Sequence, residues 1–260
     1  MIAQAAGGTV RRREFIALLG SAAAIRPFGA RAERLPERIL YFTLSAGYRH
    51  EVIPLSESIL TQLGRSSGAF EVTATEDISE FSTDNLRRYA GALFFTTGEI
   101  PMNDAEKAAL LNFVRSGGGF LGVHSATDTF YTWPDYLDLI GGYFDGHPWH
   151  QAVTINVVDP GNPLVAHLGD TLQFEDEIYQ IRDFDHRGSQ VLLRLDQNSV
   201  DLGKPGVHQR SYGWPLAWTR SYGRGRVFYT ALGHEASVWR DARFQRLLTN
   251  AILWSIGRSP

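Results

Sequence analysis

The sequence of 260 residues contains no cysteine. This absence excludes a thiolate nucleophile and any metal site with thiolate ligands. The sequence also has no apolar run near the roughly 18 residues that a membrane-spanning helix needs, because the run at residues 15–25 is only 11 residues long. No glycine-rich phosphate loop follows the first predicted strand, and the glycines of "GGGF" precede a strand, so we expect no nucleotide cofactor.

The N-terminal segment has the features of a removable secretory signal. It contains a twin-arginine start ("RRREF"), the apolar run at 15–25 and a small-x-small sequence ("ARA") that ends at residue 32. We therefore expect residues 1–32 to be cleaved and residues 33–260 to be exported, to the periplasm or the cell exterior, as one domain. The alternative is that this segment forms an amphipathic helix of the folded protein.

The net charge of the chain indicates which classes of binding partner are unfavourable. Residues 1–32 carry five arginines and one glutamate, so their removal changes the formal net charge from −3 to −7. A negative surface disfavours binding to nucleic acid and to anionic membranes. We therefore expect a small molecule as the partner of the mature protein, with neither nucleic acid nor membrane. The oligomeric state is not predicted by the sequence.

Strands and helices alternate in the first half of the chain, which predicts a parallel sheet covered on both faces. Helices are expected at about 53–63 and from Asn103, where Glu106 three residues later completes a capping box. The apolar runs that predict the strands are 38–44, 69–75, 90–97 and 119–123. The inward stripe of the second helix is predicted to be Ala105, Ala108, Leu111 and Val114.

The second half of the chain is predicted to add further strands to this sheet. The segment 196–213 is polar and contains glycine, so it is expected to be a loop. A closing amphipathic helix is predicted at 243–256. The predicted strands are 152–158, 172–181, 190–195, 215–220 and 225–232. The fold class is thus α/β, with a mostly parallel sheet, helices on both faces and additional strands in the second half.

Three histidines follow predicted strands, at the edge where open α/β sheets bind ligands. His124 lies in "GVHSA", which has the form of a nucleophile elbow with imidazole at its apex. His50 follows the first strand and His234 follows the last core strand, so we expect the three rings to meet. His124 would then be a metal ligand or a proton acceptor. The alternative is that it only caps a helix that begins there.

Six segments of the chain resemble the trehalose-utilisation (ThuA-like) family: "GYRHE", "GGGFLGVHSATD", "GGYFDGHPWH", "FEDEIYQI", "PLAWTRSYGRGRVFYTALGHE" and "LLTNAILW". This resemblance covers nearly all of residues 33–260. It implies a flavodoxin-like fold of the class I glutamine amidotransferase type. The catalytic cysteine of amidotransferases is replaced by His124, so glutaminase activity is excluded.

The resemblance also implies a role in carbohydrate metabolism, on disaccharides related to trehalose and their 3-keto derivatives. It further implies a divalent metal ion, zinc or manganese, among histidines and an acidic side chain. On this chain those ligands are His50, His124, His234 and Glu177. Three imidazoles and one carboxylate would suit zinc.

Glu177 is the acidic residue that the family pattern favours in "FEDEIY". Glu175 and Glu177 are expected on one face of a strand, and Asp176 on the other. The alternative for this stretch is a solvent-facing acidic edge. Asp128, four residues after His124, is expected either to orient that histidine or to cap its helix.

Aromatic and polar side chains near these positions are suited to contact a sugar ring. Trp and Tyr are also ordinary core residues, so burial in the core is the alternative for each of them. The substrate-binding residues predicted on this basis are Tyr48, Arg49, His147, Trp149, His150, Tyr179 and Trp239.

The leading hypothesis is an exported enzyme that acts on a disaccharide or its 3-keto derivative. His124, Glu177, His50, His234 and Asp128 would carry the chemistry, either around a divalent metal ion or as an acid/base cluster. Hydrolysis, elimination and isomerisation are all reactions that these residues are suited to catalyse. The alternative hypothesis is a non-catalytic carbohydrate-binding or scaffold protein with the same fold.

Overall fold

A nine-stranded sheet dominates residues 35–260 of the computed structural model, which describes these residues together with 1–4 and 7. Two further short strands, β5 and β8, pair with each other. The predicted signal segment lies almost wholly outside the described residues and stays a prediction. The strands are β1 (Glu37–Phe42), β2 (Phe70–Thr75), β3 (Gly91–Phe94), β4 (Gly119–Val123), β5 (Tyr143–Phe144), β6 (Trp149–Val157), β7 (Thr171–Ile178), β8 (Ile181–Arg182), β9 (Ser189–Leu195), β10 (Pro215–Tyr222) and β11 (Gly225–Thr230).

The order of strands in the sheet is β2-β1-β3-β4-β11-β10-β9-β6-β7. The first five are parallel to one another, and β10, β9, β6 and β7 continue the sheet in antiparallel pairs. The predicted fold class is therefore confirmed: a mostly parallel flavodoxin-like sheet with additional strands from the second half of the chain.

Helices cover both faces of the sheet. Gly119 on β4 approaches Ser255, whereas the next residue, Phe120, contacts the ring of Tyr136. Successive residues of a strand point to opposite faces, so the helices that carry Ser255 and Tyr136 lie on opposite sides. The helices are α1 (Ile53–Ser67), α2 (Thr83–Leu86), α3 (Asp104–Arg115), α4 (Pro134–Ile140), α5 (Ala236–Arg240) and α6 (Ala242–Ser255). Among the described residues, no helix combines the length and the apolar character needed to cross a membrane.

The start of α3 agrees with the prediction, and its buried stripe agrees in part. Asn103 Oδ1 accepts the backbone N–H groups of Ala105 and Glu106, and the Glu106 carboxylate accepts the Asn103 N–H, so the capping box is present. Ala105 and Ala108, predicted to face inward, are exposed. Leu111 and Val114 are buried as predicted, and Ala109 and Leu110 are buried in place of the two alanines. Leucine and valine have far more apolar surface to bury than alanine, so they determine which face of the helix packs.

Strands β6 and β7 form a ribbon that extends beyond the edge of the sheet. β6 pairs with β7 along 149–156, but with β9 only along 155–157. β9 runs in the same direction as the parallel strands, because it is antiparallel to β10, which is antiparallel to β11. The free part of the ribbon therefore projects past the carboxyl ends of the parallel strands. It carries His150 and Glu177, which are paired across it.

The predicted loop at 196–213 packs along this ribbon. Trp149 Nε1 donates to the carbonyl oxygen of Asp201 at 3.0 Å. The Gln180 side chain donates to the Gly206 carbonyl at 2.8 Å and accepts the His208 N–H at 2.6 Å. The strand predicted at 172–181 is interrupted, because β7 ends at Ile178 and the backbone of Gln180 bonds to Asp145 and Gly146 after β5, while β8 belongs to the separate pair.

Asp145 fastens the same loop to the segment that follows β5. Its carboxylate accepts hydrogen bonds from His208 Nδ1, at 2.7 Å, and from the Arg210 guanidinium. Burial alone would raise the pKa of Asp145, but the bonds from Arg210 and His208 outweigh it, and the pKa lies below its ordinary value of 3.8. The ionised carboxylate therefore stabilises the fold above pH 3.8, and this stabilisation is lost as the pH falls through the lowered pKa.

We expect Asp145→Asn to lower the free energy of unfolding at pH 7 by about 1 kcal/mol, a modest value because both partner side chains are partly exposed. The difference from wild type should shrink as the pH is lowered below 3.8. Urea denaturation over a pH series measures both effects. Asp84→Asn is the control, since Asp84 belongs to an exposed ion pair within one turn. Equal losses in the two variants at pH 7 would show that Asp145 does not fasten the loop.

Candidate functional site

The three histidines predicted to meet at the carboxyl edge of the sheet do lie together. The ring centroids of His50 and His124 are 4.9 Å apart, and each is 5.3 Å from the ring of His234. Each histidine follows a parallel strand: β1, β4 and β11, respectively. His50 and His124 are buried, and His234 is half-buried. We call these three residues the histidine cluster.

His124 has the backbone conformation of an elbow apex. Its φ angle is 46°, in the left-handed region that residues other than glycine seldom adopt. The small residues on either side are required by packing, because a Cβ on Gly122 would lie 3.1 Å from the Cβ of Ala126. The helix expected at His124 is only a single 3-10 turn, His124–Thr127, so the capping role considered for this histidine is not seen. Ser125, next to the apex, is buried, and its hydroxyl has no partner among the described residues, so it is not part of a serine–histidine pair.

The hydrogen bond of His124 determines which of its nitrogens faces the cluster. Nδ1 lies 2.7 Å from the carbonyl oxygen of Ala231, which can only accept, so Nδ1 carries the proton. In the neutral ring, Nε2 then has a free lone pair. The Tyr179 ring packs against the imidazole, with centroids 4.1 Å apart, and holds it in place.

Glu177 provides the negative charge of the site. Its Oε2 lies 3.4 Å from His124 Nε2 and 3.3 Å from His234 Nδ1, and its Oε1 lies 3.2 Å from His147 Nδ1. Burial raises the pKa of Glu177, but the neighbouring imidazoles of His124 and His234 outweigh it and hold the pKa well below its usual range. The side chain is therefore a carboxylate at any pH near neutrality.

Several nitrogens of the cluster are buried without a hydrogen-bond partner among the described residues: His50 Nδ1, His124 Nε2 and His234 Nδ1. Burial, with the nearby charges of His124 and His234, lowers the pKa of His50 to about 3, so this ring is neutral at physiological pH. One atom from each histidine of the cluster and one carboxylate oxygen of Glu177 all lie within 4.8 Å of one another. This donor set, three imidazoles and a carboxylate, fits a divalent metal ion such as zinc.

Asp176 holds the turn that presents His234, a role that our sequence analysis missed. It is fully buried and accepts backbone N–H groups from three consecutive residues: Gly233 at 2.7 Å, His234 at 3.1 Å and Glu235 at 2.9 Å. Gly233 has a φ angle of 125°, which only glycine adopts without strain. The signal available in the sequence was the alternation in "FEDEIY", which places Asp176 on the face opposite Glu177.

Three of the predicted substrate-binding residues are in the core. Trp149 and Trp239 have no exposed surface, and their indole N–H groups donate to the backbone carbonyls of Asp201 and Gly233. Tyr179 is 3% exposed and lies beneath His124. These rings have no face free for a sugar, so their assignment as substrate contacts was wrong. They fill the space behind the site instead.

The other predicted contacts are accessible. Tyr48 is 63% exposed and lies edge-on to His50, with ring centroids 5.0 Å apart. Arg49 is exposed and pairs with Glu76 at 2.6 Å. His147 reaches Glu177, and His150 Nε2 lies 2.8 Å from a Glu235 carboxylate oxygen; both histidine side chains are 47% exposed. These positions surround the outer side of the histidine cluster.

Asp128 does not orient His124, because Ala231 occupies the Nδ1 of that ring. It caps no helix either: its Oδ1 accepts the Tyr131 hydroxyl at 2.5 Å. Burial raises the pKa of Asp128, while Tyr131 and the charge of His124 act in the opposite direction, and the net shift is upward. This carboxyl group is therefore better suited to hold a proton than an ordinary aspartate.

We expect Asp176→Asn to lower the free energy of unfolding by about 2–3 kcal/mol, because the amide has one acceptor oxygen in place of two and its NH2 group would face backbone donors. Urea denaturation measures the loss. Glu175→Gln, at the exposed neighbouring position on β7, is the control and should be near wild type. Similar stability of the two variants would contradict the role of Asp176.

Similar proteins of known structure share this fold. A ThuA-like protein from Bacteroides uniformis is 23% identical, with a TM-score of 0.73 over 89% of this chain and 96% of that chain. One from Parabacteroides merdae is 21% identical, with a TM-score of 0.68 over 85% and 90%. A β-galactosidase from Rahnella sp. R3 is 14% identical, with a TM-score of 0.53; the match covers 86% of this chain but 32% of the enzyme. At these identities the likeness concerns the fold alone.

The sequence itself was compared with family models and with curated proteins. The comparison with curated proteins gave no match. Residues 38–255 match the family model ThuA, described as trehalose utilisation. Since this match spans most of the sequence, the chain belongs to the ThuA (trehalose utilisation) family.

Proposed function

We propose that this chain is an exported, metal-dependent enzyme of carbohydrate metabolism, acting on a disaccharide or its 3-keto derivative. A divalent ion, zinc or manganese, would be held by His50, His124, His234 and Glu177. The observation that carries this proposal is the set of buried imidazole nitrogens that face one carboxylate and have no hydrogen-bond partner among the described residues. A buried polar atom without a partner costs about 1–3 kcal/mol, and one cation would satisfy all of them.

A metal-free acid/base cluster is the competing interpretation of the same residues. In that arrangement His124 would donate to both Ala231 and Glu177 and carry a positive charge. The raised pKa of His234, caused chiefly by the neighbouring Glu177 carboxylate, favours this interpretation. However, Glu177 contacts His124, His147 and His234. The acid/base interpretation therefore leaves His50 Nδ1 without a partner. A metal ion would give a partner to each of the three unpaired nitrogens of the histidine cluster, and we favour the metal site for that reason.

A divalent ion at this position supplies Lewis acidity, which polarises a carbonyl or hydroxyl oxygen of the substrate. The chain provides the proton transfer. Burial raises the pKa of Asp128, so this residue, four positions after His124, holds a proton at higher pH than usual. Tyr131 fixes the orientation of this carboxyl group through its hydroxyl. We assign Asp128 as the general acid/base.

The sugar substrate is inferred from the family, whose description is trehalose utilisation, and from the exposed polar and aromatic residues around the cluster. Export is inferred from the signal features of residues 1–32. Hydrolysis, elimination of the glycosidic oxygen from a 3-keto sugar, and isomerisation are all compatible with a Lewis acid beside one general acid/base.

The metal site is tested by the metal content of residues 33–260 after loading with zinc or manganese and dialysis. We expect about one ion per chain. His124→Ala should weaken binding by more than the ~10–100-fold typical of changes to residues that only orient a ligand. His186→Ala, at an exposed position, is the matched control and should retain the metal. Absence of metal from wild type, or equal retention by both variants, would exclude this site.

The enzymatic role is tested by turnover of trehalose and 3-keto-trehalose with the metal-loaded protein. Asp128→Asn is expected to lower kcat by roughly 10²–10⁴-fold, the usual contribution of a general acid/base, while the metal is retained. Asp135→Asn, at an exposed position on α4, is the control. A wild-type protein that binds these sugars but turns over neither of them would instead be a non-catalytic carbohydrate-binding protein.

A further inference from the structure

A pocket with a volume of about 340 Å³ lies beside the histidine cluster, between the segment after β1 and helix α5. His50 and His234 line the side of this pocket that faces the cluster. A molecule in the pocket would therefore contact two of the four proposed metal ligands. The residues on its other sides include Tyr48, Glu51, Leu55, Glu235 and Arg240. We call it the Tyr48–Arg240 pocket.

Its position rather than its size distinguishes this pocket. A larger cavity, of about 590 Å³, is lined by Glu37, Ala90 and Gly118, at or before the first residues of β1, β3 and β4. That cavity therefore lies at the amino-terminal edge of the parallel strands, away from the histidine cluster. Ligands of open α/β sheets bind at the carboxyl edge, where the Tyr48–Arg240 pocket is found.

The charges of the pocket match a neutral ligand with several hydroxyl groups. Glu51 and Arg240 both line the pocket and are exposed. Glu51 and Glu235 would repel an anion, and Arg240 would repel a cation. A ligand with neighbouring hydroxyl groups can donate to a carboxylate and accept from a guanidinium at the same time, and such charge-assisted bonds are the stronger ones.

The apolar surface of the pocket is also of the kind that a sugar ring needs. The ring of Tyr48 is perpendicular to that of His50 and the residue is 63% exposed, so much of the aromatic surface is open to a ligand. Leu55 adds an aliphatic surface. A pyranose has a C–H face and a rim of hydroxyl groups, which suits an aromatic ring beside charged groups. The volume is near the lower end of the range of ligand pockets, about 300–1,000 Å³, which suits one ring rather than a chain of sugars.

We propose that the Tyr48–Arg240 pocket is a subsite for one neutral sugar ring, with Tyr48 stacking on the ring and Glu51 and Arg240 binding its hydroxyl groups. The bond from this ring to the rest of the substrate would then lie at the histidine cluster. The assignment rests on the proposed function, since it places the substrate beside that cluster. It adds Glu51 and Arg240 as residues that determine which sugar is bound.

The test is the affinity of zinc-loaded protein for trehalose and methyl α-glucoside, measured by isothermal titration calorimetry. Arg240→Gln, Glu51→Gln and Tyr48→Ala are each expected to weaken binding about tenfold, because each removes a direct contact. The metal content of all three should equal that of wild type. Arg65→Gln and Glu57→Gln are the matched controls, at exposed positions on α1 outside the pocket, and should bind as wild type does.

A second pair of ligands tests the charge of the sugar. Methyl α-glucoside should bind more tightly than methyl glucuronide, whose carboxylate would face Glu51 and Glu235. Tighter binding of the glucuronide, or wild-type affinity in all three pocket variants, would overturn the subsite while leaving a sugar-binding metalloprotein. Metal-loaded wild type that binds none of these sugars would overturn the subsite and the proposed substrate together.

Discussion

The site depends on one buried carboxylate, Asp176, which joins the two halves of the sheet. β7, which carries it, is four positions from β11 in the strand order. In a flat sheet that separation would be about 19 Å, at roughly 4.8 Å per strand. Nevertheless, Asp176 is bonded to three backbone N–H groups in the turn after β11. The ribbon must therefore bend back over the carboxyl edge, and this bend brings Glu177, the next residue, to the histidine cluster.

Electrostatics then explain why the carboxylate and the three imidazoles belong together. Burial, and after it the charges of His124 and His234, lower the pKa of His50 to about 3. Glu177 acts in the opposite direction, and its own pKa is held low by His124 and His234. The result is a site in which His50 stays neutral beside a fixed negative charge. A fixed negative charge beside neutral imidazole nitrogens is the combination that the proposed metal site requires.

The sequence predicted that the three histidines lie together, because each of them follows a strand and a strand is recognised from neighbouring residues. His50, His124 and His234 each follow a strand of one parallel sheet, so their convergence is a consequence of topology. The bend of the ribbon is not local, and it rests on the contacts of Asp176, Gln180 and the 196–213 loop. For that reason the role of Asp176 was missed, and β7 was predicted to be too long. Trp149 and Trp239 were misassigned because an aromatic residue near a site has the same sequence signal whether it faces the ligand or fills the space behind it.

Two features of His124 lower the stability of the fold, and another residue at this position would avoid each of them. Its positive φ angle costs of order 1–3 kcal/mol for a residue with a side chain, and its Nε2 is buried without a hydrogen-bond partner among the described residues. A glycine would relieve the first cost, and an apolar side chain would relieve the second. Strain and an unpaired polar atom at the same residue are typical of positions that are selected for chemistry rather than stability. In the function proposed above, the elbow presents imidazole because the lone pair at Nε2, which faces Glu177 and the other two rings, is the group that would hold the metal ion.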